Sequence, residues 1–342
     1  MSSASLYSTE DVGVNYSMTS KLPKTVTVED FLVQISFYVK FGVLLPLSLL
    51  GLVTNVLNLV VFFSRGFKEG PTISMTVISF WNLFKCVCGI VARMSYPIGL
   101  LDKALGVTWE NVTLPYMEYS TIFASYVTFA LAAFVSIERF ICVWKPLAAK
   151  SVLTPTVDLL SVLLISALTY GAYCVMYFIY AIRFEYSQTF NTIVAKVIFS
   201  DLYYQHSGVV MVYYQSVAIA LPLISFIILC IFSLGTVIFL KKSSEFLQKD
   251  FSNSSYILKV SRREKQVSKT LLSIILIYII NLFPRFVFYI VQLVEPEFYL
   301  LRKYNNLFKA IALCIFILDY FNSSIHFFVY LRVSSSFREY FM

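Results

Sequence analysis

The sequence predicts an all-α fold: a seven-transmembrane-helix bundle closed by a short amphipathic eighth helix. Three observations carry this expectation. Of 342 residues, 58% are hydrophobic and only 13% are charged, where soluble domains carry about 25% charged residues. The mean hydropathy is +0.76. The apolar residues also fall into seven runs, roughly 41–63, 72–98, 115–143, 157–181, 208–240, 267–294 and 306–331. Each run is near the ~20 residues that a helix needs to cross hydrocarbon.

Residues 1–30, within a tail that runs to 34, are polar and lack the apolar core of about 7–15 residues that marks a cleaved signal peptide. They read as a disordered tail, with the first run as an uncleaved anchor. Residues 35–332 then read as one membrane domain. "GFKEGP" at 66–71 is a turn between the first two runs, and "LTPTVD" offers Thr154 as a helix cap with Pro155 in the first turn of the fourth. "VSSSFREYFM", 333–342, is too short and polar to cross. It reads as an amphipathic helix on the membrane surface, with Phe337 and Phe341 one turn apart.

Lysine and arginine set the orientation. The connection 241–269 holds Lys241, Lys242, Lys249, Lys259, Arg262, Arg263, Lys265 and Lys269 against Glu245, Asp250 and Glu264. Loops on that side add Arg65, Lys68, Lys145, Lys150, Arg332 and Arg338, while the other side mixes both signs. By the positive-inside rule this connection is cytoplasmic, so seven crossings put the amino terminus outside, at the plasma membrane. Asn15-Tyr-Ser and Asn111-Val-Thr then fall outside as glycosylation acceptors, whereas Asn253-Ser-Ser is on the wrong side.

Composition also excludes functions. The net charge of +8 is distributed between apolar runs, which argues for a lipid bilayer and against nucleic acid as a partner. Only His206 and His326 are available, and no run holds His-Glu-x-x-His or Gly-x-Ser-x-Gly, so an enzyme is not expected. No cofactor or metal is expected either. A transporter or channel using intramembrane charges as a pathway predicts repeated halves with broken helices, and the unequal runs show no such repeat.

Charges within spans mark function by default. They are Lys85 and Arg93 in the second run, Glu118 in the third, Arg285 in the sixth and Asp319 in the seventh. Lys85 and Arg93 are eight apart and share one helical side. Glu138 and Arg139, in "FVSIERFICVWKPL", end the third run. Alone, they read as a charge pair snorkelling to the membrane edge.

With its neighbours, that stretch resembles the rhodopsin-like family of G-protein-coupled receptors. "SIERFICVWKPL" is similar to the Glu/Asp-Arg-Tyr signature, with Phe140 for the tyrosine. Asn55 in "GLVTNVLNLVVF", Pro222 in "ALPLISFIIL" and Pro284 in "INLFPRF" match single landmarks of the first, fifth and sixth helices. "NSSIHFFVY", Asn322 to Tyr330, resembles Asn-Ser-Ser-Ile-Asn-Pro-x-x-Tyr, and Phe337-Arg338 begin the eighth helix. The likeness spans residues 35–342.

This resemblance implies a receptor whose partners are an extracellular ligand, peptide or small molecule, and a heterotrimeric G protein. Arg139 would hold the resting state and receive the G protein when the sixth helix swings out. Glu264, twenty residues before Pro284 and about 30 Å along a helix, would be its acidic latch partner. The family's neighbouring second and seventh helices imply a Lys85–Asp319 ion pair within a polar network of Asn55, Asn82 and Asn322. Arg93 and Arg285, with Glu118, Tyr96 and Tyr289, would line an outer pocket for a carboxylate-bearing or zwitterionic ligand.

The chain also departs from the family. Asn82 replaces the aspartate of the sodium site, His326 and Phe327 replace Asn-Pro, and Leu282 replaces a tryptophan. Leu114 stands where a disulfide-forming cysteine is usual, and 182–207 hold no cysteine. Thr121 and Tyr320 exclude the amine and opsin patterns. Such divergence resembles chemosensory and peptide receptors of molluscs and other invertebrates.

Overall fold

The computed structural model describes residues 38–67, 70–145, 149, 151–250, 255–295, 297–298 and 303–341. Side chains are described throughout these segments except at 211, 243–250, 255–270, 305 and 335–336. The tail with Asn15 and the 251–254 segment with Asn253 lie outside the described residues, as does the side chain of Glu264.

The chain is a multi-pass membrane protein with seven helices long and apolar enough to cross a bilayer. The crossing helices are α1 (Leu45–Arg65), α2 (Gly70–Arg93), α5 (Tyr119–Trp144), α6 (Pro155–Tyr173), α7 (Asp201–Asp250), α8 (Ser255–Val294) and α9 (Asn305–Val333). Two further helices, α3 (Ser95–Leu101) and α4 (Lys103–Thr113), lie between α2 and α5. A final helix, α10 (Ser335–Phe341), follows α9.

Local chemistry sets several ends. Gly66 closes α1 at φ +74°, a left-handed conformation that favours glycine. The Thr154 hydroxyl caps α6 by accepting from the Val157 N–H at 3.3 Å, with Pro155 in the first turn. Asp102 caps α4 by accepting from the N–H groups of Ala104 and Leu105. Pro115 lies in a π-helical turn, Leu114–Glu118, that joins α4 to α5. A proline there has no N–H to complete the ordinary ladder.

The helices form a closed ring, with α1 packed against both α2 and α9, and α8 against both α7 and α9. Helix α5 packs against α2, α6, α7 and α8 and is the central post. Its apolar window is 78% buried, against 22% for that of α7. The outward faces carry Val53, Phe80, Leu164, Val212, Leu234 and Phe283, an apolar exterior of the kind that lipid covers.

One segment departs from the all-helical expectation. Residues after α6 form an antiparallel hairpin of β1 (Tyr180–Ser187) and β2 (Thr192–Phe199), with Tyr180 opposite Phe199. Asn191 takes φ 51° at its turn and accepts a hydrogen bond from the Tyr186 hydroxyl. The hairpin and Arg139 mark opposite ends of the bundle, because α5 rises about 30 Å between Glu118 and Arg139.

Candidate functional site

The functional candidates form three buried layers along α5. At the hairpin end, Arg93 of α2 donates to the Gly89 carbonyl and to the Tyr320 hydroxyl of α9, both at 2.9 Å. Its guanidinium lies 4.6 Å from the Tyr320 ring centroid and 3.9 Å from the Glu118 carboxylate. Gly89 makes this possible, since a Cβ there would sit 2.1 Å from the Tyr320 hydroxyl. Glu118 remains 31% exposed. Beside it, the Lys40 ammonium is 3.8 Å from Glu110 and lies over the Tyr96 ring.

This end is held without a disulfide, all six cysteines being free. The Trp109 indole donates to the Val91 carbonyl at 2.7 Å, tying α4 to α2. Asn111 Nδ2 donates to the Ala195 carbonyl at 2.8 Å, and the Ala195 N–H donates to the Thr108 hydroxyl, tying α4 to β2. The amide nitrogen expected to carry a glycan thus donates one of its two N–H groups to the hairpin. Stacked rings continue the junction from Tyr119 to Tyr180, Phe199 and Tyr203.

In the middle layer, the Asp319 carboxylate of α9 accepts from Arg285 of α8 at 2.5 Å and from Asn281 Nδ2 at 3.1 Å. Lys85 instead donates to the main-chain carbonyl of Asp319, at 3.2 Å. The expected Lys85–Asp319 ion pair is thus corrected. Lys85 is at the right depth, but the two carboxylate oxygens are taken by Arg285 and Asn281 of α8. The Tyr289 hydroxyl joins the Tyr126 hydroxyl at 2.5 Å, and Arg285 lies 5.2 Å from the Tyr126 ring centroid.

Arg93 and Arg285, expected to line an outer pocket, are both buried and engaged by the protein's own groups, as is Tyr289. Leaving a guanidinium unpaired in this setting would cost several kcal/mol, so the arginines pair with neighbouring acids. Glu118, Lys40, Glu110 and Tyr96 remain partly accessible at the mouth.

Asparagines carry the polar chain further. Asn55 Nδ2 donates to the carbonyls of Gly51 and Ser323. Asn82 accepts from the Ser323 hydroxyl at 3.1 Å and lies 3.5 Å from His326 Nδ1. Asn322 is buried, and neither of its amide atoms has a hydrogen-bond partner among the described residues.

The third layer holds Glu138 and Arg139. They do not snorkel: Glu138 is 1% exposed and Arg139 7%. Glu138 accepts from the Ser74 hydroxyl of α2 at 3.1 Å, and its Oε1 lies with Asp158 Oδ2 of α6 beside Gly70, where a Cβ would fall 3.6 Å and 1.9 Å from them. Arg139 makes no ion pair or hydrogen bond among the described residues, and its Nε is buried without a partner. Phe140 packs on Phe232 and Phe239 of α7 and fills the space over Gly235. Tyr330 donates to the Met75 sulfur and stacks on Phe337 of α10, which Phe62 also meets edge-on.

Sequence reasoning missed Asp158, Asn281 and Tyr126. Asp158 was readable as an acid in the first turn of α6. Asn281 precedes Arg285 by four residues and so shares its face. Tyr126 carried no signal, since an aromatic on an apolar helix reads as packing. Among the described residues, no group of three His, Cys, Asp or Glu could hold a metal. No protein-family model matches the chain, and no curated protein matches it.

Proposed function

We propose that this protein is a rhodopsin-like G-protein-coupled receptor in the plasma membrane, with its amino terminus outside. It would activate a heterotrimeric G protein when an extracellular peptide or small molecule binds at the hairpin end. The observation that carries this reading is Arg139, buried at the end of the central post with its Nε meeting no acceptor among the described residues. A buried guanidinium with a free N–H is a strong donor, and a partner's helix carboxyl terminus supplies acceptors in its carbonyl groups.

The middle layer offers a route between the ends. Arg285–Asp319 and Tyr126–Tyr289 tie α8 to α9 and α5. A ligand that disturbs them would free α8 to move, a two-state element of the kind receptors use. At the mouth, Glu118, Glu110 and Lys40 present both signs of charge, which favours a zwitterion or a peptide.

The test is G-protein nucleotide exchange in membranes bearing the wild-type chain or Arg139→Ala at matched surface expression, across a panel of G proteins and a library of peptides and small zwitterions. Exchange by the wild type and its loss in the variant are the expected result. A ligand-independent ionic current in the same cells, without exchange, would replace the receptor reading with a channel.

A further inference from the structure

The middle layer buries more positive charge than negative. Lys85 of α2, Arg285 of α8 and Asp319 of α9 are 1%, 5% and 2% exposed. All three meet at one residue. Arg285 and Asn281 take the two carboxylate oxygens of Asp319, and Lys85 takes its main-chain carbonyl at 3.2 Å. The other buried acids among the described residues, Glu138 and Asp158, lie together beside Gly70 at the Arg139 end. Arg93, about 12 Å from Lys85 along α2, has its own acid in Glu118. Two cations therefore share one carboxylate, and the layer is left with a positive surplus.

The same layer holds N–H groups that nothing accepts. The Lys85 ammonium carries three N–H donors and donates to one carbonyl among the described residues. Its other neighbour is the Tyr320 ring, whose centroid is 6.0 Å away. Arg285 Nε is buried without a partner, and so is Nδ2 of Asn322, one turn beyond Asp319 on α9. A carbonyl offers a dipole and a ring face a quadrupole, and neither cancels a full charge taken out of water. Water would satisfy the free N–H groups but brings no charge. An anion does both. The layer is closed around it, since Asn82, Asn281, Asn322 and Ser323 are at most 3% exposed, and such an enclosure favours a small spherical ion over an organic acid.

We propose that Lys85 is the centre of an anion site that takes one chloride-sized monovalent ion from solution, with the unpartnered N–H groups of Arg285 and Asn322 as further donors. The ion supplies the negative charge that Asp319 cannot supply twice, and it joins α2 to α8 and α9 by charge. The site follows from the charge count and the free donors of the core, and does not depend on the receptor reading.

Thermal unfolding of the full chain in lipid nanodiscs, at constant ionic strength with chloride exchanged for gluconate, reads the site. Chloride and bromide should raise the melting temperature, with the logarithm of their concentration once above the dissociation constant, and the larger gluconate should not. Replacing sodium by N-methylglucamine at fixed chloride should change nothing. Lys85→Met should lose the halide dependence. A dependence that this variant keeps would overturn the proposal, because the ions would then act elsewhere. Stabilisation by acetate and not by halide would also overturn it, in favour of a carboxylate ligand. Chloride-36 binding to the wild type, which needs no variant to fold, should saturate at one ion per chain and be displaced by bromide. Absence of saturable binding would overturn the site and leave Lys85 uncharged in the core. If Lys85→Met does not fold, Asn322→Ala takes its place: chloride binding should weaken several-fold, and unchanged binding would remove the ion from this layer.

Discussion

Arg285 of α8 and Asp319 of α9 meet at 2.5 Å with both side chains buried. No other ion pair among the described residues is as short or as deeply enclosed. Breaking a buried pair from one side strands the other charge, at about 3–5 kcal/mol. Arg285→Met should therefore lower the melting temperature of the purified chain sharply. Arg285→Met with Asp319→Leu and Lys85→Met should recover much of the loss, because buried Lys85 also lies at Asp319 and no isolated charge then remains in this layer. Equal melting of the single and triple variants would show that the pair's geometry, and not its charge balance, matters.

Gly89 is tested by what its missing side chain permits. Gly89→Ala places a Cβ 2.1 Å from the Tyr320 hydroxyl and 2.8 Å from Arg93 Nη1. Overpacking of this kind costs about 1–3 kcal/mol, and the Arg93–Tyr320 hydrogen bond is lost with it. Tyr320→Phe removes the atom struck first, so the double variant should melt above Gly89→Ala alone. Melting of Gly89→Ala at the wild-type temperature would mean that α2 and α9 part without cost.

The layers differ in how far the sequence discloses them. Apolar runs locate every crossing helix because lipid demands about twenty apolar residues from each, and Thr154 and Gly66 mark ends through capping chemistry alone. Spacing puts Lys85 and Arg93 on the buried side of α2. Spacing does not say which of two cations reaches Asp319, since that depends on the approach of α8 to α9. Glu138 and Arg139 lie at the end of α5, where the sequence puts them, but they are buried rather than snorkelling, because α2 and α6 pack against α5 and Ser74 of α2 reaches Glu138. The hairpin was hidden for another reason. Its strand "TIVAKVIF" is rich in β-branched residues, but so is lipid-facing helix, and short apolar runs do not separate the two.

The hairpin's attachment gives a third expectation. Asn111 and Thr108 of α4 hold the two main-chain polar groups of Ala195. Replacing both by alanine should speed backbone hydrogen exchange across β1 and β2 and leave α5 protected, because the crossing helices do not depend on these bonds. Unchanged exchange in the double variant would assign the anchoring to the ring stack of Tyr119, Tyr180 and Phe199.

The hydroxyl pair of Tyr126 and Tyr289 predicts a coupling. The two oxygens meet at 2.5 Å, and both side chains are buried. Either single change to phenylalanine strands the partner hydroxyl, which should cost about 1–3 kcal/mol. The double variant should match the single changes or improve on them, because neither hydroxyl of the pair then remains. Melting curves of the three proteins decide the point: a double variant that loses the sum of the two single losses would mean that the hydroxyls act independently. If α8 moves in signalling, each single change should also raise basal nucleotide exchange, since the pair ties α8 to α5.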